Sequence, residues 1–162
     1  MNLSNSLDQC TDFSCIFSLV KEAVEKTLDK RRVGLSLGLM SLSNHIGAFH
    51  QLGSNFIIMN RNLLEEVIKT EDIGLINAYI FHILLHEYLH SLGYASEEET
   101  RWLTHRITEK ALGPNHPSTL LARYGISYVF PDISSILHGR TERIKGIEIV
   151  TEFETDNMNY FG

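Results

Sequence analysis

Two histidines four residues apart with a glutamate beside the first, His86-Glu87-Tyr88-Leu89-His90, are the residues of this chain best suited by type and spacing to do chemistry. Residues four apart lie one above the other on a helix, so His86 and His90 can present ring nitrogens to one metal ion. Glu87 then projects beside that ion, where it can serve as general base towards a water molecule. The combination suits metal-assisted hydrolysis. In 162 residues of this composition chance would supply such a pentapeptide roughly 0.03 times, so accident is a weak explanation.

Two histidines leave a catalytic zinc one protein donor short, since such an ion takes three and a water. A histidine six residues after His90 would complete one spacing, and Gly93 holds its glycine position, but Ser96 stands where the histidine is required. The other source is the next helix, which opens on Glu97, Glu98 and Glu99. At 3.6 residues per turn, Trp102, Leu103, Ile107 and Ala111 form an apolar stripe that includes Glu99 and leaves out Glu97, Glu98 and His105. A carboxylate on a packed face is costly unless paired, and a zinc ion would pair it. Glu99 is therefore the expected third ligand, with Glu97, Glu98 and His105 as the other candidates. Ser96-x-x-Glu99 is also the spacing of a capping box, which would occupy Glu99 structurally. His82 extends the row of histidines by one turn, but three residues over two turns make a poor coordinating set, so packing behind the site is its expected place. His45, His50, His116 and His138 have no ligand spacing. Tyr94, Tyr124 and Tyr128 could each donate to an oxyanion, although packed aromatics are commoner.

The elements that must position these residues are readable from periodicity. Residues 16–32 form an amphipathic pattern, with Ile16, Leu19, Val20, Ala23 and Val24 on one side. Residues 33–42, 46–52 and 55–60 are short apolar runs broken by Gly and Asn, which predicts three strands joined as an antiparallel meander. A helix over 61–69 follows, then the motif helix over 73–92, ended by Gly93. A third helix over 96–112 stops at Gly113-Pro114. Beyond it, 117–124 and 131–137 read as short helices, 144–154 as a strand, and the acidic tail 152–162 as disordered. The expected fold is α+β: a small, mostly antiparallel sheet packed on an N-terminal helix and the motif helix, which a glutamate-bearing helix follows.

At 162 residues the chain is of one-domain size, and 1–162 is read as a single domain. A net charge of −6 and no basic stripe exclude a general nucleic-acid binder. No apolar run reaches the roughly 20 residues of a bilayer span, and the N-terminus lacks the pattern of a leader, so a cytoplasmic protein without membrane partners is expected. Cys10 and Cys15 match no zinc-ribbon spacing and read as free thiols, pointing to a reducing compartment.

Taken together, Asn55-Phe56-Ile57-Ile58-Met59-Asn60, His86-Glu87-Tyr88-Leu89-His90 and Glu97 to Glu99 make the chain resemble the gluzincin clan of zinc metallopeptidases. In size it looks most like the archaeal minigluzincins. The resemblance implies one Zn2+ on His86 and His90, Glu87 as base towards zinc-bound water, and a peptide or protein substrate. It also implies an upper edge strand that pairs with substrate backbone, and Asn55, Phe56, Ile57, Ile58, Met59 and Asn60 resemble that strand. Some small relatives are latent because a C-terminal segment fills the cleft, a part that Asp156 to Gly162 could play here. The short gap between His90 and the glutamates departs from the pattern. Two other readings compete: a non-catalytic or latent zinc module, and a metal-dependent ribonuclease. The ribonuclease pattern shares His86-x3-His90-x-x-Gly93-Tyr94, but Ala95-Ser96 replaces its Asp-His and Glu87 has no part in it.

Overall fold

The computed structural model describes residues 1–133 and 146–154. Its helices are α1 (Ser4–Asp8), α2 (Phe13–Leu28), α3 (Arg61–Ile68), α4 (Ile73–Ser91), α5 (Glu97–Leu112), α6 (Pro117–Tyr124) and α7 (Ile126–Val129). Its strands are β1 (Ser36–Met40), β2 (Ala48–His50), β3 (Phe56–Asn60) and β4 (Glu148–Ile149). The class is α+β, as expected, and the fourth strand of the sheet, β4, falls within the run 144–154 expected to be a strand.

Helix α4 is the hub. It is apolar on nearly every side, from Ala78, Tyr79, Ile80 and Phe81 to Leu84, Leu85, Tyr88 and Leu89, all buried. A helix of that kind must be covered all round, and α1, α2, α5, α6 and the sheet supply the cover. It starts where Asp72 accepts a hydrogen bond from the Leu75 N–H at 3.2 Å. It stops at Gly93, whose φ of +107° is open to glycine and strained for other residues. The buried side chains form one continuous cluster from Leu3 and Leu7 of the N-terminal segment, where no helix was expected, to Phe153.

The meander is corrected by the sheet order β2-β3-β1-β4. Strand β3 lies between β1, to which it is parallel, and β2, to which it is antiparallel. The cause is Asn60, fully buried at the end of β3. Its side-chain oxygen accepts from Leu42 N–H (3.2 Å), and its amide donates to the carbonyls of Ser43 (3.0 Å) and Ile46 (2.8 Å). The loop after β1 is thereby carried across the end of β3, so β2 falls on the outer side and becomes the edge.

Cys10 and Cys15 form a disulfide across the bend between α1 and α2, which corrects the free-thiol expectation. Their Cα atoms stand 5.6 Å apart, a separation that suits a bridge. Disulfides persist under oxidising conditions, so the argument for a reducing compartment loses its basis. No helix among the described residues is long and apolar enough to cross a membrane.

The start of the acidic tail is tied down, against expectation. Phe153 stacks on Phe17 at 4.3 Å. The Glu154 carboxylate accepts from the N–H groups of Gly34 (3.1 Å) and Leu35 (2.9 Å) and faces Lys21 Nζ at 3.6 Å. The cleft-filling role suggested for Asp156 to Gly162, the helix expected beyond Ile133, the start of the strand expected at 144 and His138 lie outside the described residues.

Candidate metal centre

His86 and His90 stand one turn apart on α4, with ring centroids 4.9 Å apart. The three-residue break Gly93-Tyr94-Ala95 turns the chain back so that α5 opens beside them. Ser96 caps α5, accepting from the Glu99 N–H at 3.3 Å. The residue that meets the imidazoles is Glu97: its Oε1 lies 2.6 Å from His90 Nε2 and its Oε2 lies 3.2 Å from His86 Nε2. Donor atoms of His86, His90 and Glu97 all fall within 4.8 Å of one another. Such a group could hold a metal ion.

The hydrogen bonding around His90 supplies a test of that fit. Its Nδ1 lies 2.7 Å from the Tyr94 carbonyl oxygen, which can only accept, so Nδ1 carries the proton. In the neutral ring Nε2 is then a bare lone pair, aimed at a carboxylate oxygen that also offers only lone pairs. A cation between them, proton or metal, is what this pairing requires. The Tyr94 carbonyl is the kind of outer partner that orients metal-bound histidines, and it also accepts from the Thr100 hydroxyl at 3.1 Å.

Glu99 is not brought to the imidazoles. It is exposed beside Tyr94, Glu98 and Trp102 on the outer surface. The expected stripe went wrong at Trp102, which is 59% exposed. The face of α5 that is buried consists of Thr100, Leu103, Thr104, Ile107, Thr108 and Ala111. Thr100 and Thr104 can face inwards because their hydroxyls donate to the carbonyls of Ser96 and Thr100, each at 2.7 Å. With the threonines counted, the centre of the inner face rotates towards Glu97 and away from Glu99. Threonines at 100, 104 and 108 were the signal in the sequence that could have found it.

Glu87 is 6% exposed, and its Oε2 has no hydrogen-bond partner. Burial pushes its carboxyl up to about 7; His90 works against that rise and Glu97 adds to it. Burial holds His86 below its ordinary value, with Glu97 opposing. For Glu97 partial burial acts to raise the carboxyl, but the two imidazoles and their hydrogen bonds together hold it below the usual range.

A cleft of about 260 Å³ lies on this group, lined by Ala48, Phe49, His50, Leu52, Glu87, His90, Ala95 and Glu97. Its wall is β2, the sheet edge. The six residues expected to form the substrate strand are elsewhere: β3 is paired on both sides. The ends of that segment serve the architecture. Asn60 pins the loop after β1, and Asn55 Oδ1 accepts from Arg32 Nη2 at 2.7 Å while Arg32 Nη1 donates to the Ser91 carbonyl at 2.7 Å. His50 enters the cleft with no spacing to announce it. Its Nε2 lies 2.8 Å from the Ser54 carbonyl, which fixes that nitrogen as donor, and burial lowers its pKa. Tyr124 and Tyr128 stack on each other at 4.6 Å and line neither this cleft nor its neighbour, while Tyr94 carries Lys30 over its ring. Compared with known protein families, with curated proteins and with solved structures, the chain finds no match in any of the three.

Proposed function

We propose that the chain is a zinc-dependent metallopeptidase of the gluzincin type, with His86, His90 and Glu97 as ligands and Glu87 as catalytic base. The observation that carries this reading is the meeting of two imidazole Nε2 atoms and the Glu97 carboxylate beside a cleft that Glu87, His90 and Glu97 line. Two nitrogens and a carboxylate suit zinc, and a cleft on the open side suits a catalytic rather than a closed structural site. A divalent ion bound there would polarise a peptide carbonyl and lower the pKa of water towards ~7.

The protein groups divide the remaining work. The Tyr94 carbonyl keeps His90 Nδ1 protonated and so keeps Nε2 free to ligate. The Glu87 carboxylate takes the proton that the attacking water loses and returns it to the nitrogen of the departing amine, so the protons balance over the cycle. The outer edge of β2 can pair with the backbone of an extended peptide, which moves the substrate strand from Asn55–Asn60 to residues 48–50. Phe49 and Leu52, 41% and 66% exposed, offer apolar contact beside it.

The test is zinc content by elemental analysis of wild type and Glu87→Gln, with cleavage of a quenched peptide library. One equivalent of zinc in both with cleavage by wild type alone is the expected result. Zinc in both without any cleavage points to a latent or structural site, and no zinc in either removes the reading.

A further inference from the structure

A second cavity, of about 380 Å³, begins where the metal group ends. His82, one turn before His86 on α4, and Arg101, one turn after Glu97 on α5, both line it. The chain joins the two spaces on their other side, since Gly47 borders this cavity and Ala48, the next residue, borders the cleft on Glu87. The two cavities thus border the metal group along neighbouring stretches of α4, α5 and the segment that leads into β2.

Two buried polar atoms of this second cavity lack partners. The Tyr79 hydroxyl belongs to a side chain only 2% exposed and makes no hydrogen bond. His82 Nδ1 is buried and equally alone. Among the described residues no carboxylate stands within ion-pair distance of Arg101, and its guanidinium donates no hydrogen bond. Glu97, one turn away, is engaged by the imidazoles instead. None of the lining residues is Asp or Glu. Gly47 keeps the entrance open: a Cβ there would stand 2.9 Å from Ile83 Cδ1 and 3.7 Å from the Tyr79 oxygen. Leu63, Ile83, Leu121 and Ile126 supply apolar wall.

An unsatisfied buried hydroxyl is unfavourable, and native structures keep few of them. Two buried polar atoms without partners and the exposed guanidinium of Arg101 line one cavity, and together they describe a site for a ligand. Its chemistry follows from the donors: a guanidinium only donates and favours a planar anion with two oxygens, and the apolar wall suits a short hydrocarbon stem.

We infer that this cavity is a carboxylate-binding subsite beside the cleft on Glu87, in which Arg101, Tyr79 and His82 receive an acidic side chain or the terminal carboxylate of a peptide next to the bond to be cut. The inference builds on the peptidase reading for its role, and its binding chemistry can be tested separately. Acetyl-Glu-amide, acetyl-Gln-amide and acetyl-Gln with a free carboxyl group are titrated into the full chain with and without zinc, followed by NMR signals of Ile83, Tyr79 and Arg101. The same contrast is built into quenched peptides.

The expected result is binding of one carboxylate probe about ten- to a hundredfold tighter than the neutral one. The probe that gains identifies a side chain or a chain end as the source. The preference should vanish in Arg101→Gln and persist in weaker form in Arg101→Lys, which keeps the charge and loses the fork. Equal affinity for all three probes, or a preference that survives in Arg101→Gln, overturns the assignment. Carboxylate binding at these residues without cleavage of any peptide sinks the peptidase reading and leaves the subsite standing. Cleavage indifferent to acidic groups sinks the subsite alone.

Discussion

Glu87 and Glu154 are buried to nearly the same degree, 6% and 8% exposed, yet the fold treats them oppositely. Glu154 receives two backbone N–H bonds and faces Lys21, whose side chain is 3% exposed. Every feature of that site ties the C-terminal segment to α2 and to the entrance of β1. Glu87 has an oxygen without any partner and opens on a cleft. A buried charge is tolerated where partners compensate it; where they are missing, the cost is accepted for something the folded protein does with the group. The same contrast holds for Tyr79 and His82 against Asn60, whose buried amide meets one partner after another.

The sharpest way to break the comparison is Glu87→Gln, which keeps the shape and removes the base. Peptide cleavage should fall by roughly 10²- to 10⁴-fold, with zinc content kept and the thermal midpoint unchanged or raised. Lost zinc would mean that Glu87 is a ligand instead. Glu154→Ala should do the reverse, costing about 2–4 kcal/mol of stability because the N–H groups of Gly34 and Leu35 lose their acceptor and Lys21 loses this carboxylate. Urea denaturation measures it, and a loss below about 1 kcal/mol, the scale of an exposed pair, would dissolve the contrast between the two glutamates.

A pH series on metal-free protein probes His82, which burial holds down to about 4, with His86 adding to the effect. The unfolded chain binds a proton below about 6.5 that the folded chain refuses. Stability is therefore intact above pH 6.5 and declines as pH falls towards 4, by up to about 3 kcal/mol from this group. His82→Gln should flatten that part of the profile, and an identical slope in the variant would show that His82 is readily protonated in the fold. The smallest effect expected is the gap between Glu97→Ala and Glu99→Ala in a chelator competition. The first should weaken zinc binding by roughly 100-fold or more, beyond what loss of an outer partner costs, and the second should leave it within a few-fold. Equal losses would return Glu99 to the ligand set.

Much of the site was legible because it is local. His86, Glu87 and His90 need only a helix to converge, and the apolar run and Gly93 specified that helix within a residue or two. Glu99 was preferred over Glu97 because a hydrophobic stripe treats threonine as polar and tryptophan as buried. On α5 the threonines satisfied their hydroxyls on the helix's own carbonyls and turned inwards, and Trp102 stayed out. The edge of the sheet was misplaced for a different reason: the run 55–60 has the composition of any strand, and edge or centre depends on which strands pair with it.

By itself the sequence determined that His86 and His90 share a helix face with Glu87 beside them, the helices around them and the α+β class, because periodicity and capping act over a few residues. Tertiary structure decided which glutamate completes the donor set, that β2 and not β3 borders the cleft, that Cys10 meets Cys15, and that Tyr79, His82 and Arg101 share a cavity. Each of these depends on how separate elements pack, which is settled by the burial of whole faces.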